Sequence, residues 1–477
     1  MTPGAPHMTD SPAFPRFPDG FVLGAATASY QIEGAVDEDG RGPSIWDTYS
    51  HTPGRVANGD TGDVACDHYH RYPEDIALLR ELGVDSYRFS IAWPRIVPDG
   101  SGPVNPKGLD FYSRLVDELL AAGIEPAATL YHWDLPQALE APFHSGSAAG
   151  GGWRVRATAE RFAEYTAAVA THLGDRVPRW ITLNEPWCSA FLGYSVGRHA
   201  PGAQEGRGAL AAAHHLLIGH GLAVGALRAA GVREVGITLN LDRNLPATGS
   251  AADRAAVVRA DTQHNLIWTE PLFAGRYPRA EEETWGELIS GQDVRRDGDL
   301  ALIGQPLDFL GINYYRPIVV ADAPHREADP ARRTATDNRY AEVRLEGARH
   351  TAMEWPVVPD SLTDLLVELS ERYGDALPPL HITENGSAEH DEVSADGAVH
   401  DSDRVAYLRD HLTALRAALD AGVDVRGYYV WSLLDNFEWA HGYGKRFGIV
   451  RVDYDTQRRT PKDSYHWYRA LIAAQRD

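Results

Sequence analysis

Two glutamates end β-like runs in this sequence. In "WITLNEP", Trp180 to Pro186, an apolar and β-branched run stops at Asn184 and Glu185. In "HITENG", His381 to Gly386, a second run stops at Glu384 beside Asn385. The glutamates lie 384 − 185 = 199 residues apart, so chemistry between them needs a fold that brings the two strand ends together. Paired carboxyl groups set among amides, arginine and tryptophan suit scission of a glycosidic bond, with one group as acid and the other as nucleophile or base.

The elements that would hold them follow a repeated grammar. Helical segments stop at a glycine and a strand opens shortly after, in "LLRELGVDSYRFSI" (Gly83), "LLAAGIEPAATLYH" (Gly123), "LRAAGVREVGITLN" (Gly231) and "LDAGVDVRGYYVW" (Gly422). Glycine suits the residue just past a helix because it takes the left-handed conformation without a Cβ clash. Helical spacing puts Phe162, Tyr165, Val169 and Leu173 on one face, and Phe111, Leu115 and Leu119 on another, as core-packing stripes. Eight strands are expected: "FVLGAAT", "DSYRFSI", "PAATLYH", "WITLNE", "VGITLN", "DFLGINYY", "LHITEN" and "GYYVWSL". Alternation with helices predicts an α/β fold, a closed (β/α)₈ TIM barrel spanning residues 17–477 as one domain after a loose tail at 1–16. An open doubly wound sheet would advertise a Gly-rich phosphate turn, and "GAATASYQIEGA" is not one.

A barrel of this kind places its site at the C-terminal ends of the strands. Those ends carry, in order, Gln31 and Glu33, Arg88, His132 and Trp133, Asn184 and Glu185, Asn240, Asn313 and Tyr315, Glu384, and Trp431 followed by Glu438 and Trp439. Singly, each has an ordinary structural reading: a solvated loop carboxylate, a hydrogen-bonded histidine, a core tryptophan, an amide capping a helix. Together they suit a polar ligand with apolar ring faces. Amides and arginine bond hydroxyls, and tryptophan stacks on the C–H faces of a pyranose.

The bulk numbers narrow the partners. Lys plus Arg number 45 against 67 Asp plus Glu, a formal charge of −22, which disfavours nucleic acid and anionic membrane. Two cysteines, Cys66 and Cys188, read as buried thiols rather than a disulfide framework or zinc site. Neither HExxH nor a strand-end His-x-His occurs, so neither metal nor cofactor is expected. No apolar run is long enough to predict a transmembrane helix. The Pro- and Gly-rich start lacks a signal-peptide pattern, which makes cytoplasm the expectation. Oligomeric state is left open.

Six blocks, in order, resemble the glycoside hydrolase family 1 β-glucosidases: "FVLGAATASYQIEGA", "YHWDLPQAL", "TLNEPWC", "GINYY", "ITENG" and "WSLLDNFEWAHGYGKRFGIVRVDY". The likeness runs from about Phe17 onward. It implies the (β/α)₈ fold and a retaining double displacement, with Glu185 as acid/base and Glu384 as nucleophile. It further implies that Asn184 holds the sugar 2-hydroxyl, and that Gln31, His132, Trp133, Glu438 and Trp439 bind the other hydroxyls. Trp431 would be the stacking platform, with Phe447 also among the substrate-binding residues. Arg88, Asn313 and Tyr315 would support the catalytic pair, and Trp355 in "MEWPVVP" would line the leaving-group side. The expected substrate is a small unphosphorylated β-glucoside or oligosaccharide. A β-galactoside or β-fucoside is the main alternative, and a noncatalytic sugar-binding barrel a lesser one. One departure is "APFHSGSAAG" at 141–150, an apparent insertion after the third strand, expected to tune the leaving-group side.

Overall fold

The computed structural model describes residues 14–140, 151–289 and 294–476; the 141–150 insertion lies outside them. The four glycine junctions form as expected, with φ at Gly83, Gly123, Gly231 and Gly422 between 74° and 92°. Each turns a helix end into a barrel strand.

All eight expected strands form: β1 (Val22–Ala26), β2 (Ser86–Ser90), β3 (Glu125–Thr129), β4 (Arg179–Asn184), β5 (Glu234–Asn240), β6 (Phe309–Asn313), β7 (Leu380–Asn385) and β8 (Val425–Trp431). Every neighbour is parallel, and β8 pairs with β1 to close the barrel. The stripes read from the sequence are core: Phe162, Tyr165, Val169 and Leu173 on helix Arg156–Leu173, and Phe111, Leu115 and Leu119 on helix Pro106–Ala121, are all buried. Helix Arg207–Ala229 has the length and apolar character of a membrane span but lies largely buried inside the fold, packed against helix Arg156–Leu173.

Two short sheets were not anticipated. Strands Arg243–Pro246, Pro317–Asp322 and Tyr340–Glu342 form one, and the hairpin of Val450–Asp453 with Arg458–Pro461 forms the other. Both belong to the long segments that follow barrel strands.

Register prepares the site. β4 shifts register against β5 between Ile181 and Asn184, and β7 shifts against β6 between Ile382 and Glu384. Such irregularities re-aim side chains. Here they fall just before the two glutamates. Inside the barrel, Thr238 Oγ1 donates to Thr383 Oγ1, and Thr383 donates to Asn313 Oδ1 at 2.8 Å. Gly311 leaves room for that chain, since a Cβ there would lie 2.2 Å from Thr238 Oγ1.

Candidate active site

The strand ends bring Glu185 and Glu384 into one hydrogen-bonded cluster, both of them buried. Arg88, from the end of β2, donates to Glu384 Oε1 at 2.6 Å and to Asn184 Oδ1 at 2.5 Å. Asn313, at the end of β6, donates through Nδ2 to Asn184 Oδ1 at 3.0 Å and to Glu185 Oε1 at 2.7 Å. Tyr315, two residues on and thus on the same side, donates its hydroxyl to Glu384 Oε2 at 2.7 Å. Arg88, Asn184 and Asn313 therefore link the two carboxyls.

The two glutamates differ electrostatically. Burial, then the Glu384 charge, pushes Glu185 up to about 8, against the Asn313 and Cys188 hydrogen bonds. Burial also pushes Glu384 upward, but the Arg88 guanidinium opposes it, and the Tyr315 and Asn313 hydrogen bonds add to that opposition. With a cation on Glu384 and none bonded to Glu185 among the described residues, the pair keeps its proton on Glu185 and its charge on Glu384. Glu185 also has φ 44°, a left-handed backbone that ends the strand.

Around this pair stand the other expected residues. Gln31 Nε2 donates to Asn436 Oδ1 and the Phe437 carbonyl at 3.0 Å, and to Glu438 Oε2 at 3.5 Å. Glu438, partly buried at the cleft, is pushed up to about 8 by its depth, then by Glu384 and Glu185. Asn184 Oδ1 already accepts two bonds, so its Nδ2 donates to His132 Nε2 at 3.1 Å. Burial, then Arg88, drives His132 well below the usual imidazole range. The ring is therefore neutral, with its proton on Nδ1. Gln31 Oε1 and His132 Nδ1 are buried without a partner among the described residues. Unpaired buried polar atoms cost about 1–3 kcal/mol each, so these are groups for a polar ligand to satisfy.

An aromatic wall completes the cleft. The His132 ring lies parallel to Trp431 and Trp439 at 5.9 and 6.0 Å, and Trp133 meets Trp439 at 4.4 Å. Tyr315, Trp355 and Phe447 form a second cluster, with Trp355 5.3 Å from Tyr315. The Trp133 indole N–H donates to the Asn184 carbonyl at 2.9 Å, so this side chain braces Asn184.

Two residues stand differently from the sequence reading. Glu33 accepts from Arg95 Nε at 3.1 Å and Tyr112 at 2.6 Å, which makes it a buried structural partner rather than part of the cluster. Cys188, read as an ordinary core thiol, donates to Glu185 Oε2 at 3.2 Å. Its position three residues after Glu185, one helical turn on, was the available signal. Among the described residues, no group of three His, Cys, Asp or Glu side chains could hold a metal ion.

The family model described as "Glycosyl hydrolase family 1" matches residues 14–477. A bifunctional beta-D-glucosidase/beta-D-fucosidase from Bifidobacterium breve is 50% identical, with 96% of this chain and 98% of the relative covered. The thermostable beta-glucosidase B of Thermobispora bispora is 52% identical, over 96% of this chain and 90% of the relative. Among solved structures, the family 1 β-glucosidase from Thermotoga maritima in complex with isofagomine lactam superposes with a TM-score of 0.89 at 45% identity, covering 97% of this chain and 100% of that one. This chain belongs to glycosyl hydrolase family 1.

Proposed function

We propose that this member of glycosyl hydrolase family 1 is a β-glucosidase that releases terminal glucose from unphosphorylated β-glucosides and cello-oligosaccharides by a retaining double displacement. The observation that carries the reading is the asymmetry of the two glutamates. Glu384 is bonded by Arg88 and Tyr315, while Glu185 is bonded by an amide and a thiol. One is prepared as a nucleophile and the other as an acid.

In the first step Glu384 forms a bond to the anomeric carbon as the bond to the leaving oxygen breaks, and Glu185 gives its proton to that oxygen. Once Glu384 is esterified its charge is gone, and with it the repulsion that raised Glu185. Glu185 then takes a proton from water, whose oxygen bonds to the anomeric carbon and releases Glu384. The closeness of both carboxyls to the Asn313 amide suits the short separation of retaining enzymes, about 5–5.5 Å. Asn184, Gln31, His132, Glu438 and Trp439 are assigned to the sugar hydroxyls, Trp431 to its ring, and Trp355 and Phe447 to the neighbouring wall. Trp133 contributes by holding Asn184.

A second reading, activity on β-fucosides too, is favoured by the likeness to the bifunctional β-D-glucosidase/β-D-fucosidase of Bifidobacterium breve. A carboxyl at Glu438 disfavours a 6-phosphate: protonated, it offers one donor to a group that needs several, and ionised, it repels the dianion in a cleft of lowered dielectric. The test is a panel of nitrophenyl β-glucoside, β-galactoside, β-fucoside and β-glucoside 6-phosphate, with the first-formed anomer read by NMR. Higher kcat/KM on the glucoside than on its phosphate, with a β-anomer product, supports the reading. An α-anomer, or preference for the phosphate, overturns it.

A further inference from the structure

The residue one turn beyond Glu185 closes onto it twice. The Cys188 N–H donates to the Glu185 carbonyl at 2.9 Å, and Cys188 Sγ donates to Glu185 Oε2 at 3.2 Å. The other carboxyl oxygen, Oε1, accepts from Asn313 Nδ2 at 2.7 Å. An amide nitrogen donates and cannot accept. In the protonated carboxyl, Oε1 must therefore be the carbonyl oxygen, and the acidic proton sits on Oε2, beside the sulfur.

We propose that Cys188 is a positioning residue for the reacting proton of Glu185: the thiol holds Oε2 in place while bonding it weakly enough for the proton to leave and return. This rests on the reading of Glu185 as the acid/base. A thiol is a weak donor and a weak acceptor. It can turn its S–H toward Oε2 when the carboxyl is ionised and offer a lone pair when it is protonated. A hydroxyl at this position would bond the carboxylate more strongly, because O–H is a stronger donor than S–H and the charge of the acceptor strengthens that bond further. Such a bond would favour the ionised form and spoil the acid. An apolar side chain would give the carboxylate nothing. The thiol keeps its own proton, since burial and then Glu185 push its ionisation upward. It is a donor here and not a nucleophile.

The groups that face this carboxyl are Glu384 of β7, Arg88 of β2, Tyr315 after β6 and Glu438 after β8, with Asp242 facing the thiol. None of them is altered by a change at Cys188. Glu185 acts protonated, so activity falls as pH rises through its pKa. A stronger donor lowers that pKa and moves the basic limb to lower pH; removal of the donor moves it to higher pH.

The test is the pH profile of kcat/KM on an alkyl β-glucoside, a poor leaving group, for Cys188→Ser, Cys188→Ala and the parent, with Tm measured alongside. The basic limb is expected to move down by about half to one pH unit in Cys188→Ser and up by a similar amount in Cys188→Ala. Limbs that coincide with the parent, or that move in the same direction in both variants, overturn the proposal. Should Cys188→Ala fail to fold, Cys188→Ser alone decides, by a downward shift or none. Glu185→Ala is run in parallel. A basic limb that survives in that variant would remove Glu185 from the acid role. A limb that responds to Glu185 but not to Cys188 sinks only the present proposal.

Discussion

Asp435 and Glu438 stand three residues apart on the segment after β8, yet their carboxyls behave in opposite ways. Burial alone would push Asp435 up, but Lys462 and Arg446, bonded to it at 2.7 and 2.6 Å, hold it below the usual aspartate range. Lys462 also pairs with Asp391, which is shared with Arg404, and Arg404 pairs with Asp401. Three carboxylates there meet three cations. In the cluster at the barrel mouth the carboxyls of Glu185, Glu384 and Glu438 stand near one another, and Arg88 bonds to Glu384 alone among them. Glu185 and Glu438 are pushed up to about 8. The lesson is that burial sets the cost of a charge and cation supply decides who carries it. The balanced cluster anchors a loop, and the unbalanced one holds exchangeable protons.

Removing Glu384, the carboxyl paired with Arg88 and proposed as nucleophile, is expected to have the largest effect. Glu384→Ala should lower kcat on aryl β-glucosides by roughly 10⁴-fold or more, with Tm maintained. Added azide should restore turnover and give a glycosyl azide of inverted configuration. Near-parental hydrolysis without azide would take the nucleophile role from Glu384.

Glu185→Ala comes next. On alkyl glucosides the loss should be about 10²–10⁴-fold, and much smaller for the first step on substrates with good leaving groups. In the parent, activity should be full below the Glu185 pKa and fall as pH rises through about 8. The acid limb should follow protonation of Glu384. The basic limb should flatten in Glu185→Ala, and equal losses on both substrate types would mark Glu185 as structural.

Lys462→Met unbalances the anchoring cluster. Loss of one partner from a buried pair costs about 3–5 kcal/mol, read as a lower Tm or denaturation midpoint. Asp435 stabilises the fold above its unfolded pKa, and that contribution is lost as pH falls through its depressed folded value. Without Lys462 the folded value rises, so acid unfolding should start at higher pH. An unchanged midpoint would show that the cation does not support Asp435.

The smallest shift is expected for Glu438→Gln. A carboxyl whose folded pKa is raised costs stability once pH exceeds its unfolded value, and the cost grows until the folded value is reached. The variant should gain roughly 2–4 °C in Tm at neutral pH, less at pH 5, while KM for glucosides rises. A gain that is the same at both pH values would show that proton uptake is not its source.

Much of this architecture was legible in the chain. Eight strand-like runs were legible, four of them announced by the helix-ending glycines Gly83, Gly123, Gly231 and Gly422. The strands at 243–246 and 340–342 are short and partly exposed, whereas the strand at 317–322 carries the buried β-branched run Ile318, Val319 and Val320 and could have been read. Strand ends also pointed to the cluster, since polar groups that recur at one end of a barrel have a common destination. What remained hidden was direction. Glu33 sits two residues from Gln31, yet turns to Arg95, and only packing decides that. Trp133 meets the Asn184 carbonyl only once the neighbouring strands β3 and β4 are set side by side, whereas the contact of Cys188 with Glu185 was within reach of helical spacing.

The pairing of β1 with β8 has a consequence for how the protein comes into being. Val22 sits opposite Gly427, 427 − 22 = 405 residues away, and Gln31 finds Asn436 at the same remove. At about 5–20 residues per second, a ribosome leaves β1 as an open edge for about 20–80 s. Throughout that wait its unpaired amides and carbonyls invite the wrong neighbour. Arg88 likewise waits 296 residues for Glu384. No nascent chain short of β8 can assemble the pocket, so the first of the eight barrel strands to be made is the last to be sealed.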